Sequence, residues 1–115
     1  MTIPQELAAL ITQLDRELDR IEELATEGLN LVRPLLERFP DNVIFIGLLA
    51  TLNNALFFSN NCKNRIQIII ESFSTTNIAI EVIQEAGEDL AELLGRVLEA
   101  KMQVSRIVAR LKNFP

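Results

Sequence analysis

Histidine is absent from the 115 residues of this sequence. It is the usual general acid or base near neutral pH and the commonest protein ligand of transition metals. Its absence excludes histidine phosphotransfer domains and di-iron bundles built on Glu-x-x-His pairs, two helical classes of similar size. The phosphate loops G-x-x-x-x-G-K-[ST] and G-x-G-x-x-G are also missing. We therefore expect no catalytic residue, no cofactor and no metal ligand.

Cysteine, glycine and proline are scarce as well. The one cysteine, Cys62, has no partner for an intrachain disulfide, and residues 1–6 lack the basic and apolar segments of a secretory signal. Both features are typical of a cytoplasmic protein, and we interpret Cys62 as an ordinary small residue. With four Gly and four Pro the chain has few places to turn, which favours long helices.

Positive charge is in the minority, since the net charge is -5. This balance does not favour nucleic acid or an anionic membrane as a partner. One stretch, between Asp41 and Lys63, carries no charge and is apolar enough to suggest a membrane segment. We nevertheless expect no membrane segment there, because six polar residues interrupt it: Thr51, Asn53, Asn54, Ser59, Asn60 and Asn61.

Apolar residues near both ends of the chain repeat at alternating spacings of three and four, as in helices that pack along one seam. The first seam is Leu7, Ile11, Leu14, Leu18, Ile21, Ala25, Gly28, Val32, Leu35 and Phe39. The last is Ile83, Ala86, Leu90, Leu93, Val97, Ala100, Val104, Ile107, Leu111 and Phe114. Asp41 follows the first seam and is predicted to cap the next helix.

The middle segment, 42–73, is apolar on more sides than a single seam needs. A helix of this kind is normally buried over most of its surface. Two neighbouring helices are too few to cover it, so we expect a second copy to do so and the chain to form a homodimer. The candidate interface residues are Phe45, Leu49, Leu56 and Phe57.

These patterns predict a single all-α domain, 1–115, folded as an up-down-up bundle of about three long amphipathic helices. Breaks near Gly28–Pro34 in the first helix or Ser59–Asn61 in the second would give four or five helices instead. Another alternative is an α+β fold with a short β-hairpin over 65–83, where β-branched residues alternate on both sides of a polar turn.

The function predicted by these observations is a helical module for protein–protein interaction or assembly, an adaptor or small regulatory protein without catalytic activity. Its partner would be a second copy, another helical protein, or both. The first alternative is a regulatory protein that associates with nucleic acid. It rests on Arg96, Arg106 and Arg110, which recur near helical spacing and form a local basic stripe.

The second alternative is a small enzyme or binder of an anionic metabolite. The stretch Leu14–Ile21 resembles the first helix of helical chorismate mutases, which use Arg and Lys to orient a dianionic substrate. The resemblance implies that Arg16 and Arg20 bind the anion. It covers eight residues, and the Lys and Asp-x-x-Arg-Glu elements that should follow are not found. The carboxylates nearby are interpreted as a solvated helix face.

Overall fold

The computed structural model of the chain describes residues 3–73 and 78–114. These residues form three α helices, α1 Gln5–Arg38, α2 Val43–Ser72 and α3 Ile80–Lys112. The helices lie side by side in a rod of 59 × 18 × 17 Å, which confirms the predicted all-α bundle of three long helices. No strand occurs in the described ranges, so the β-hairpin alternative for 65–83 is wrong.

Only some of the β-branched residues in 65–83 complete the helical seams, and others, such as Ile68 and Ile80, are exposed. Ile66 is buried and Ile70 is half-buried in α2, while Ile83 is half-buried in α3. A helix gives these side chains a shared core, whereas an isolated two-stranded hairpin would leave one of its faces in water. Residues 74–77, which the predicted hairpin turn would have used, lie outside the described residues.

Helix α1 is central to the bundle. It packs on both α2 and α3, whereas α2 and α3 contact each other much less. Leu7 lies close to Gly87, and Glu27 pairs with Lys112 at 2.6 Å, so α1 and α3 run in the same direction. The short connection between Arg38 and Val43 reverses the chain, which makes α2 antiparallel to both.

The two seams predicted from the sequence form the core. Every predicted seam position of α1 from Leu7 to Val32 is buried, and Phe39 is exposed at the end of the helix. In α3 the seam is buried at most positions, and Phe114 is exposed at its end. The core is therefore aliphatic along most of its length, with phenylalanines near its ends.

Neither of the predicted helix breaks is present. Helix α1 runs through Gly28 and Pro34, and α2 runs through Ser59–Asn61. Pro34 cannot donate to the carbonyl of Asn30, but both residues are exposed, so water reaches that carbonyl. The four- and five-helix alternatives are not observed in the part of the chain that the structure describes.

The cap of α2 is Asn42. Its side-chain oxygen accepts a hydrogen bond from the backbone N–H of Phe45 at 3.0 Å. The prediction that Asp41 caps this helix is wrong by one residue. The backbone N–H of Asn42 donates to the carbonyl of Phe39 at 3.1 Å, and this tight turn brings Asn42 rather than Asp41 to the first helical turn.

A polar cluster fixes the position of α1 along α2. The fully buried hydroxyl of Ser59 donates to the Glu22 carboxylate at 2.9 Å. Lys63 Nζ lies 2.8 Å from the Asp19 carboxylate and 2.9 Å from that of Glu22. Sliding α2 by one turn would leave a buried hydroxyl unpaired, which is unfavourable. The hydrogen bonds to Asp19 and Glu22 raise the pKa of Lys63 above its ordinary value of 10.5.

We expect a Lys63→Met variant to be less stable than the native chain at pH 7 by about 0.5–1 kcal/mol, because the ion pairs are partly solvated. A raised lysine pKa stabilises the fold below pH 10.5, and this contribution is lost as pH rises through the folded-state pKa. The difference should therefore persist to about pH 10 and shrink above it, as measured by urea unfolding. Lys112→Met, which removes a single exposed pair with Glu27, is the control. Equal effects of the two variants would contradict the role of the cluster.

Gly28 lets α1 approach both of its neighbours closely. A Cβ at this position would lie 2.9 Å from each δ carbon of Leu52 and 3.3 Å from Cγ2 of Val108. Leu52 is fully buried, so its methyl groups have no free space to move into. Gly95 on α3 is the opposite case, because a Cβ there would meet nothing within 4 Å.

We expect Gly28→Ala to lower the free energy of unfolding by about 1 kcal/mol, because overpacking outweighs the gain in helix propensity. Gly95→Ala should raise it by about 0.5–1 kcal/mol, since only the propensity term operates. Urea unfolding of both variants at one protein concentration measures the contrast. If both substitutions raised the free energy of unfolding, the side chains around Gly28 would have to move to make room for the added methyl group.

Candidate functional site

Helix α2 leaves most of its apolar residues uncovered. Only six of its 30 residues are buried, compared with ten of the 34 in α1. Four of the large apolar side chains that remain exposed lie on one side of the helix and define the outer face of α2: Val43, Ile46, Phe57 and Ile68. Val43 is 78% exposed and Phe57 is 70% exposed. The expectation that two neighbouring helices cannot cover this helix therefore holds for the single chain.

The four candidate interface residues fall into three environments. Phe45 is buried in the chain's own core, where its ring meets Phe114 edge-on at 5.1 Å. Leu49 and Leu56 are half-buried and pack against that core. Phe57 projects from the outer face. An intermolecular role for these residues stays a prediction, and Phe57 is the one that lies free in the single chain.

The exposed surface of α2 has both apolar and polar parts. The helix is long and apolar enough to cross a membrane, and only 17% of its most apolar 18-residue window is buried. Five exposed asparagines lie in its middle, at Asn53, Asn54, Asn60, Asn61 and Asn64. Side-chain amides of this number are expensive to place in lipid, although they are normal at a hydrated protein interface.

A groove runs between α2 and α3 on the side away from α1, where these two helices make little contact. Its α2 wall includes Thr51, Asn54 and Phe58. Its α3 wall includes Arg96, Glu99, Ala100, Gln103 and Arg106. Phe58 lies near the middle of this α2/α3 groove, with the guanidinium carbon of Arg96 5.9 Å from the centre of its ring.

The lysines and the arginines of α2 and α3 lie on different sides of the bundle. Lys63, Lys101 and Lys112 reach back to carboxylates of α1. Arg65, Arg96 and Arg106 line the α2/α3 groove, and Arg110 lines the apolar hollow at its end. None of these four arginines has a carboxylate within ion-pair distance in residues 3–73 and 78–114. The structure thus brings together Arg96, Arg106 and Arg110, the candidate nucleic-acid residues.

The residues proposed to bind an anionic metabolite lie elsewhere. Arg16 and Arg20 are exposed on α1, and Arg20 pairs with Glu23 at 3.1 Å. The shallow hollow beside them is lined by Asp19, Glu22, Glu23 and Thr26, whose carboxylates would repel a dianion. Among the described residues no group of three or more His, Cys, Asp or Glu side chains is arranged to hold a metal ion.

Sequence reasoning did not single out Phe58 and Arg65 of the groove, Ile44 of the hollow at its end, or Ile46 of the outer face. Phe58 and Arg65 occur seven residues apart, in register with Ile44 and Thr51, and this row lies one position before four of the six buried residues of α2. That periodicity is visible in the sequence. Which flank of the seam is left open depends on how α3 packs, and the sequence of α2 alone does not contain that information.

Cys62 lies in the wall of the groove and is buried. Burial raises the pKa of the Cys62 thiol above its ordinary value of 9.0, and the charges of Arg96 and Arg65 lower it by a smaller amount. The reactive thiolate is therefore a minor species at neutral pH.

We expect Ellman's reagent to label native Cys62 at least about tenfold more slowly than the same residue in concentrated urea. The matched control carries Cys62→Ser with Asn61→Cys, which moves the thiol to the neighbouring exposed position of α2. That thiol should react at nearly the same rate with and without urea. Fast labelling of native Cys62 would instead mark it as an activated cysteine.

No protein-family model, curated protein or solved structure matches this chain. Functional assignment therefore rests on the chain's own residues. They offer two features suited to a partner, the outer face of α2 and the α2/α3 groove. Both features are helical surfaces, and neither has the geometry of an enclosed pocket for a small molecule.

Proposed function

We propose that this protein is a helical interaction module that binds a helix of another protein molecule through the outer face of α2. The observation that carries the proposal is the exposure of that face, where Val43, Phe57 and Ile68 are each more than half exposed. Apolar surface of this extent on one helix is typical of a protein–protein contact.

The arrangement of the exposed residues supports a helix as the ligand. Val43, Ile46 and Phe57 follow helical spacing along one side of α2, with Ala50 between them. An amphipathic helix laid along this side would contact an apolar residue in most turns, which is the usual way in which helices bind to helical grooves. Because α1 already holds α2 in place, the surface is preorganised and binding orders little additional backbone.

Lipid and nucleic acid fit the face less well than protein does. The exposed asparagines of α2 interrupt the apolar surface and would be unpaired in a bilayer. The arginines of the groove share their wall with Glu99, and the net charge of -5 repels phosphate backbones. Asparagines and scattered apolar residues together are the normal composition of a hydrated interface between proteins.

Site-specific photo-crosslinking tests the proposal in cells of the source organism. Benzoylphenylalanine replaces Phe57, whose ring is exposed, so the added benzoyl group extends into solvent. The matched control places it at Arg16, an exposed polar position on α1. We expect a discrete protein adduct from position 57 and none from position 16. The adduct is identified by mass spectrometry, and the purified partner should bind a Phe57→Ala variant roughly tenfold more weakly than the native chain.

Several results would overturn the proposal. One is the absence of any adduct at position 57 while the protein remains folded by circular dichroism. A second is an adduct that contains lipid, which would make the face a membrane contact. A third is an adduct removed by nuclease, which would favour the nucleic-acid alternative through Arg96, Arg106 and Arg110.

A further inference from the structure

The α3 wall of the groove continues as a charged stripe along the whole helix. Its positions alternate in spacing between four and three residues, which keeps them on one side of α3. The acidic members of this α3 stripe are Glu85, Asp89, Glu92 and Glu99, the basic members are Arg96, Arg106 and Arg110, and Gln103 is neutral. All are exposed except Asp89, which is half-buried. No ion pair involves any of them among the residues that the structure describes.

When two copies of the stripe are aligned in opposite directions, the charges of one copy are complementary to those of the other. Residues at equal distances from the point midway between 97 and 98 are opposite in charge in three cases, namely Glu85 with Arg110, Asp89 with Arg106, and Arg96 with Glu99. The fourth pair is Glu92 with Gln103, an acceptor with a donor. We propose that two copies of this chain associate antiparallel through the α3 stripe, with their two-fold axis beside residues 97 and 98.

The charges select this alignment over its neighbours. A parallel pairing would place each residue opposite its own copy and oppose like charges along the stripe. A shift of the antiparallel pairing by one heptad in one direction places Asp89 opposite Glu99. A shift by one heptad in the other direction places Arg96 opposite Arg106. The alignment centred between 97 and 98 has no like-charge pair, and each favourable pair occurs twice because the contact is two-fold symmetric.

The helix macrodipole does not account for the stripe. It favours acids near the start and bases near the end of α3, but its effect is confined to the first and last turns. Asp89 and Glu92 lie beyond the first two turns, and Arg96 and Glu99 lie in the middle of the helix. Glu99 also interrupts the basic half, which the dipole does not predict and which pairing with Arg96 of a second copy does.

The surface around the axis suits a dimer contact. Phe58 lines the groove beside Arg96, Glu99, Ala100 and Gln103, so an aromatic side chain lies next to the proposed axis. From residue 85 to residue 110 the stripe is about 38 Å long. The molecule is 18 Å across, so a contact over its full width along the stripe would have a footprint of at most about 700 Å² per copy, against roughly 800 Å² for standard interfaces.

Charge exchange at one pair tests this inference. Asp89 and Arg106 are about 25 Å apart on a single α3, so any rescue between them has to be intermolecular. We expect the native chain to dimerise, and Asp89→Arg and Arg106→Glu each to raise the dimer dissociation constant at least about tenfold at low salt. The double variant, Asp89→Arg with Arg106→Glu, should restore the native constant. An equimolar mixture of the two single variants should form a heterodimer, because both of its cross-pairs are attractive.

The matched control is Glu88→Arg, which makes the same kind of charge change one residue away and off the stripe. It should leave the dissociation constant within about twofold of native. Light scattering after size exclusion and analytical ultracentrifugation at 50 mM and 1 M salt measure all six samples, and circular dichroism checks that each is helical. The increases in the dissociation constant caused by Asp89→Arg and Arg106→Glu should be smaller at 1 M salt, which screens the charges.

A chain that is monomeric at all concentrations would overturn the inference, as would a dimer unaffected by Asp89→Arg and Arg106→Glu. A double variant no better than the single variants would also overturn it. Crosslinking from position 57 would be untouched by these results, because the outer face of α2 is a separate surface. The proposed function and the self-association can therefore fail independently.

Discussion

The structure depends on the seam of α1, which packs against two helices at once. Leu14, Leu18 and Ile21 are fully shielded from solvent, and Gly28 brings both neighbours close to the helix axis. One seam serving two partners pulls α2 and α3 toward α1 rather than toward each other. The groove between α2 and α3 and the bare outer face of α2 are both consequences of this arrangement, because α2 and α3 contact each other much less than each contacts α1.

The long helices and the positions of most core residues were predictable because heptad spacing is a local property of the chain. Leu7 to Val32 in α1 could be assigned to the core before any neighbour was known. The predicted breaks were wrong for a reason that the sequence does not contain. Pro34 is tolerated because the carbonyl of Asn30, to which it cannot donate a hydrogen bond, lies on the exposed side of α1. Ser59 is tolerated because Glu22 of another helix accepts its hydrogen bond. Both facts depend on packing between helices.

The same distinction separates Phe45 from Phe57. Both are phenylalanines in one apolar helix, and composition alone assigns them the same role. Phe45 lies in register with Leu52 and Ser59 on the seam and meets Phe114 of α3. Phe57 lies on the opposite side of α2, which no other helix of residues 3–73 and 78–114 covers. The candidate arginines were found from spacing, but their gathering in one groove follows from the orientation of α3 against α1, which Lys101 and Lys112 help to set.

The cationic residues show how this bundle separates folding from recognition. The three lysines that pair within the chain hold α2 and α3 to the acidic side of α1, and they neutralise carboxylates that the fold places near each other. The four arginines of α2 and α3 make no ion pair in the described structure, and a planar guanidinium can meet a carboxylate in two-point fashion. Exposed charges of this kind contribute little to affinity but strongly to orientation. An acidic chain with such a stripe therefore needs apolar surface for affinity, and the side chains beside the groove, Phe58 and Ile44, supply that surface next to the charges.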